Sequence, residues 1–337
     1  MKDGWIAIQY KQKGKKMKKT IVKTLIATTV VAFTGCGVDG GGGGGSSRNL
    51  DINLEKGVCL VKETYKDLKY NSITTTTYEY DELSRLKTKI ITDDTSRSVS
   101  KFYYYGDTFG EKRVLGNTYD KNGNKIGYAK VESERDDQHG RLTKLTTTGK
   151  EGNQPTVKYV TTPTYKNDNI DQMGTKIYFD STLIVSSTSK YKYSKEKTDK
   201  IEIIEKQPNG VIKSEQNITF GYDSLNRLKY QKNINKSPYN NATNEYITTY
   251  SKNTKTARPG CYIGNRLKIN RKRFKESPRG QRNCYLVKSH TSIYTEGKVK
   301  KESVSNFEYK INEENLVTES KSERFIETYE YEECESH

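Results

Sequence analysis

Aliphatic side chains are scarce in this chain of 337 residues. Leu, Ile, Val and Phe together make up roughly a fifth of it, close to the level at which chains stop folding around a compact aliphatic core. No apolar run approaches the roughly 20 residues that a membrane-spanning helix needs. There is one tryptophan and there are six prolines. The three histidines, His139, His290 and His337, have no cysteine, serine or carboxylate set around them that marks a nucleophile motif. Neither a phosphate loop nor a dinucleotide fingerprint occurs. No enzyme, cofactor or metal site is expected from such a sequence. What it does have is tyrosine, 26 in all.

Tyrosine and threonine suit a pleated, half-buried surface, and tyrosine buries a large ring while keeping its hydroxyl in water. From residue 56 onward the chain shows almost no helical periodicity. Alternating segments of about eight to ten residues are instead separated by turn chemistry. Lys200–Glu205 and the segment from Val211 flank Pro208-Asn209-Gly210, and Asn122-Gly123 separates Asn117–Tyr119 from Lys125–Tyr128. Asn-Gly tolerates the positive φ angles of tight hairpin turns. The expected architecture is all-β: an antiparallel meander of consecutive hairpins in one large twisted or coiled sheet. Charges fall on both faces of most segments, so a soluble domain is expected rather than a barrel with a lipid-facing band.

The turns repeat a pattern. Tyr80-Asp81 is followed by Arg85-Leu86, and Tyr222-Asp223 by Arg227-Leu228. Tyr119-Asp120 with Gly123 forms a third copy, and Asp137 with Gly140-Arg141 a fourth that lacks the tyrosine. Weaker echoes begin at Tyr165, Tyr193, Tyr250 and Tyr309; with the Tyr222 copy between them, those from Tyr165 to Tyr250 stand about 28 residues apart, and Tyr309 lies two such steps further on, one copy being missing near residue 279. Such a fixed period signals repeated supersecondary units. In each unit Tyr ends a strand, Asp bonds back to the turn's amides, Gly or Asn takes the left-handed position, and Arg-Leu starts the return strand. The pattern resembles the YD repeat of the Rhs family, over residues 60–320. The resemblance implies spiralling antiparallel sheet. The chain is too short for the hollow shells of that family and carries Ser84 and Asn226 where the family has Gly. The closer resemblance is to small YD-repeat lipoproteins.

Ahead of the repeats stands an address. Residues 1–16 read as an upstream extension, because Met17 opens a complete signal peptide (17–35) with Lys18, Lys19 and an apolar stretch from Thr24 to Phe33. Phe33-Thr34-Gly35-Cys36 resembles the bacterial lipobox, which implies lipidation of Cys36 and a stable membrane anchor. Residues 36–49 include an unbroken glycine run from Gly40 to Gly45, a flexible tether. The family's sorting rule, with Gly37 rather than Asp after the cysteine, implies the outer membrane. Residues 1–35 hold eight lysines and one aspartate, so their removal takes the net charge from +17 to +10 (17 − 8 + 1).

Residues 50–337 form the expected β domain. Four cysteines remain in it, and an even number in an exported protein permits two disulfides with three connectivities; Cys261–Cys284 is the most local pairing, leaving Cys59 with Cys334. Between Cys261 and Cys284 a basic insertion (262–283) holds Arg266, Lys268, Arg271, Lys272, Arg273, Lys275, Arg279 and Arg282 against Glu276 alone. This segment is the candidate anion-binding site, for lipopolysaccharide or an acidic glycan before nucleic acid. The tyrosine-rich sheet is the candidate glycan surface, and strand addition to a protein partner is the alternative.

Overall fold

The computed structural model describes residues 58–106, 110–136, 140–166, 169–194, 197–224, 227–237, 240–252 and 286–333. Among them every regular element is a strand. The first seven are β1 (Val58–Asp67), β2 (Ser72–Tyr80), β3 (Leu86–Thr92), β4 (Ser96–Tyr104), β5 (Glu111–Asp120), β6 (Lys125–Arg135) and β7 (Leu142–Glu151). Then come β8 (Val157–Lys166), β9 (Asn169–Phe179), β10 (Thr182–Ser194), β11 (Lys197–Lys206), β12 (Ile212–Tyr222) and β13 (Leu228–Ser237). The last six are β14 (Asn240–Tyr250), β15 (Val287–Glu296), β16 (Val299–Asn306), β17 (Glu308–Ile311), β18 (Val317–Lys321) and β19 (Phe325–Glu333).

All pairings are antiparallel, and all but one join neighbours in sequence, as expected for a meander. The exception is β1 with β19, which brings the two ends of the sheet together. One large sheet thus returns on itself. β16 and β17 form a single run with a jog at Phe307: the first half pairs with β15 and the second with β18. Ahead of the jog, β16 has a pairing on one side only among the described residues.

Cross-strand partners point to the same side of a sheet, so the register sorts the two faces. Leu60, Tyr78, Leu86, Phe102, Val114, Val131 and Leu316 pack together as a core on the inner face of the first strands. Directly paired positions carry that face onward through Thr147, Tyr159, Ile177 and Val185. It continues through Ile201 to Ile218, both buried. The outer face alternates with it and carries Lys101, Arg113, Glu132, Lys144, Lys190 and Glu202 in mid-strand. Each such charge in a lipid-facing band costs about 2–4 kcal/mol for Lys or Arg near the midplane. The outer face is built for water.

The copy missing near residue 279 leaves no gap in the sheet. β14 pairs directly with β15, and Ser251 N donates to Leu286 O at 2.8 Å across the root of the intervening segment. The strand order is therefore uninterrupted at this point.

Candidate functional site

The repeat motif turns out to be a structural joint. In the turn after β2, Asp81 N donates to Arg85 O (2.9 Å) and Ser84 N to Asp81 O (2.8 Å). The Asp81 carboxylate accepts from Leu83 N and Arg85 N, and its second oxygen takes Arg85 Nε at 2.7 Å. Ser84 sits at φ +55, the left-handed position where the resembled family has Gly. This is a type I turn closed by a bulge, and the register shifts there as a bulge requires. Asp223 and Arg227 repeat the arrangement, with Nε to Oδ2 at 2.6 Å.

Each arginine also reaches the next repeat. Arg85 lies over the Tyr104 ring at 4.6 Å, Arg227 over Tyr250 at 4.6 Å, and Arg141 over Tyr165 at 5.1 Å. Those tyrosines donate their hydroxyls to the carbonyl of the residue after the arginine: Leu86, Leu228 and Leu142 respectively. The same bond recurs from Tyr80 to Leu60, Tyr193 to Ile170, Tyr222 to Thr198, Tyr309 to Val287 and Tyr331 to Val317. It has a simple cause. The β1–β2 ladder stops at Lys62–Thr77 and the β11–β12 ladder at Lys200–Thr219, in each case two residues after the accepting carbonyl, that of Leu60 or Thr198. The carbonyls beyond would lose their donor, and a tyrosine three residues further along the second strand replaces it. Burial pushes the Tyr222 phenol up to about 12, so the hydroxyl stays a donor.

Two of the expected copies differ. Asp120 and Gly123 (φ +82) make the same turn, with Asp120 N to Asn124 O at 2.9 Å. However, this turn lies at the opposite rim, and Tyr119 faces outward beside Arg97. In the fourth copy Asp136 makes the turn bonds: Asp136 N donates to Arg141 O, Arg141 Nε to Asp136 Oδ2 at 3.0 Å, and Gly140 (φ +65) N to Asp136 O. The turn is one residue longer than the others, which displaced the alignment by one. Arg135 stands where the tyrosine would be, and Ser133 Oγ donates to Glu111 O in its stead. Asp137 lies outside the described residues. So do Cys36, Cys261, Cys284 and Cys334, and Arg266, Lys268, Arg271, Lys272, Arg273, Lys275, Arg279 and Arg282. Cys59 is buried on β1 opposite Glu332.

Perturbed polar chemistry collects elsewhere, on the inner face where β1 meets β19. Glu63 lies opposite Tyr329, and Tyr65 opposite Glu327. Tyr78 Oη donates to Glu63 Oε2 at 3.0 Å. Glu327 Oε2 accepts from Tyr329 Oη at 2.5 Å and from Ser320 Oγ at 3.0 Å. Burial first, and then the Glu327 charge, push the Glu63 carboxyl above its ordinary range, against the pull of Lys89 and the Tyr78 hydroxyl. Burial and then Glu327 push the Tyr329 phenol up as well. Nothing in the sequence announces this cluster, because its members come from strands more than 250 residues apart. Among the described residues no group of three or more His, Cys, Asp or Glu could hold a metal ion.

A second inner-face region is more open. Gln216, Asn233, Asn244 and Ser292 are half-buried there, beside Tyr246 and His290. The Tyr246 and His290 rings stack with centroids 5.8 Å apart and planes at 17°. His290 Nδ1 is 3.2 Å from Thr248 Oγ1, and burial lowers its pKa, which favours the neutral ring. Amides, hydroxyls and a flat aromatic surface can bond and stack on a polyhydroxylated molecule.

No family model and no curated protein matches the chain. Solved structures do. One is a porin-like protein from Bacteroides vulgatus ATCC 8482, at 12% identity and TM-score 0.39, covering 82% of this chain and 99% of that one. A porin-like protein from Bacteroides uniformis ATCC 8492 is similar at 15% identity and TM-score 0.39, covering 81% and 98%. The structure of TcdB2-TccC3 matches at 10% identity and TM-score 0.16, covering 70% of this chain and 16% of that one.

Proposed function

We propose that the chain is a non-enzymatic, lipid-anchored cell-envelope protein whose inner sheet face binds a glycan. The observation that carries this reading is the half-open polar surface of β12–β16, with the stacked Tyr246–His290 pair among amide and hydroxyl side chains. The tyrosine rows are not the ligand surface in this reading, since eight of their hydroxyls are engaged by backbone carbonyls. The test is binding of the mature protein to a glycan array and to lipopolysaccharide, with Tyr246→Ala and His290→Ala as variants. Binding lost in both variants supports the inner face. Absence of any signal from the wild-type protein refutes the glycan reading.

The anchor at Cys36 and the outer-membrane address belong to the same proposal, and so does the YD-repeat kinship. β1 starts at the rim from which the basic segment also leaves, at Ser251 and Leu286. A tether from Cys36 would bring that rim, and residues such as Arg271 and Arg273, toward lipid phosphates. Mass spectrometry of the membrane fraction should find acyl chains on Cys36, and Cys36→Ala should release the protein. A disulfide from Cys59 to Cys334 fits the same rim, because Cys59 is buried and stands opposite Glu332, two residues before Cys334. One observation favours strand addition as a second reading: among the described residues β16 is paired on one side only, and Val299 and Val304 are exposed. A proline at Val304 would abolish capture of a partner by that edge.

A further inference from the structure

Of all the strand pairs, β1–β19 is the one whose members are not consecutive in the chain. Its partners come from opposite ends of the chain, so its closure rests on the ladder and on the side chains along it. Those side chains are unlike on the two faces. Outside, Lys62 Nζ meets Glu330 Oε1 at 2.6 Å, an exposed pair that contributes little. Inside, near the upper end, Tyr65 and Phe307 pack on Phe325 with ring centroids 5.4 and 6.1 Å away. Below them sit two carboxylates, Glu63 on β1 and Glu327 on β19.

We propose that the β19–β1 seam is a pH-sensitive closure, tight while Glu63 is protonated and loosened when it ionises beside Glu327. This goes beyond the glycan-binding reading and does not depend on it. The groups that face Glu63 come from every neighbouring strand: Tyr65 on β1, Tyr78 on β2, Lys89 on β3, Ser320 on β18, and Glu327 and Tyr329 on β19. Lys89 is the single cation among them, and its ammonium lies 5.5 Å from the centre of the Tyr78 ring. Tyr329 and Ser320 both donate to Glu327, and only Tyr78 donates to Glu63. An ionised Glu63 is thus the less well supported of the two charges, in the drier place. Its cheapest relief is separation of β1 from β19, which admits water.

The sign follows from linkage. Glu63 binds its proton more tightly in the closed seam than in an open one, so its contribution to closure is complete at pH below the ordinary carboxylate value of 4.5. That contribution fades as pH rises through the closed-state value and then levels off. Opening of the seam frees two strand edges at once, those of β1 and β19.

Amide hydrogen exchange of the intact protein, followed by mass spectrometry from pH 4 to 9 and corrected for intrinsic rates, reads the seam directly. Protection of peptides covering 58–67 and 325–333 should fall relative to peptides from β12–β13 as pH rises. The fall should reach at most about tenfold per pH unit before it levels. Glu63→Gln should remove the pH dependence and leave the seam protected throughout. Two further variants should move the transition in opposite directions: Glu327→Gln to lower pH, Lys89→Met to higher pH. A flat seam-to-β12–β13 ratio in the wild-type protein overturns the proposal, as does an unchanged transition in Glu63→Gln. Should Glu63→Gln not fold, the other two variants decide it, and shifts in the same direction count against the seam.

Discussion

β6 and β16 belong to one sheet and share one hairpin chemistry, yet their surroundings are opposite. Along β6 buried and half-buried positions alternate strictly, with Val131 and Ser133 almost fully enclosed. Along β16 nearly every position is exposed. The strands around β6 fill their inner face with Leu60, Phe102, Val114 and Val131. Those around β14 carry asparagine, glutamine and serine at the equivalent places. Further along, Ile170, Val185, Ile201 and Ile218 are buried, but the contiguous cluster belongs to the first strands and the seam. The tyrosine-to-carbonyl bonds and the turn carboxylates hold hairpins in both regions. The first region adds dense burial to them.

That contrast can be broken by mutation. The largest effect is expected in the packed region: Leu60→Ala should cost about 2–5 kcal/mol in urea unfolding, against at most about 1 kcal/mol for Ile234→Ala on β13. Comparable losses at the two sites would refute the division. Next come the hydroxyls. Tyr80→Phe and Tyr222→Phe should each cost about 0.5–1.5 kcal/mol, since each leaves a carbonyl without its donor. Similar values would show that the ladder serves both regions alike, whereas a loss confined to Tyr222 would show that only the open region leans on it. Ser84→Gly should raise stability by up to about 1 kcal/mol, because the serine holds a left-handed backbone angle that glycine adopts freely. Smallest of all, Lys192→Met should change the unfolding free energy in urea by no more than about 0.5 kcal/mol, its ion pair with Glu202 being exposed.

Much of the fold was legible because its signals are local. Asp81 speaks to Leu83 and Arg85, Asp223 to Arg227, Asp120 to Asn122 and Asn124, all within four residues. A reader of the sequence can therefore find the turns, and with them the strands. The same locality places Asp136 beside Arg141 five residues on, one position ahead of the Asp137 that the repeat pattern picks out. It also explains Tyr119, which shares the turn chemistry but sits on the other rim and face. Turn residues do not encode which rim they occupy. The tyrosines were noticed for their number, yet their bonds to carbonyls 14 to 24 residues back depend on where each ladder ends.

By itself the sequence determined the all-β class, the consecutive hairpins and the residues that bend the chain, since each is decided by hydrogen bonds between near neighbours. Only the tertiary structure decided that the sheet returns on itself, that its inner face is apolar at one end and polar at the other, and that Glu63 meets Glu327. These depend on register summed over all the strands, and β1 joins β19 through pairs such as Lys62 with Glu330, 268 residues apart. No local pattern carries information over that distance. Closure emerges from the accumulated stagger of the whole sheet.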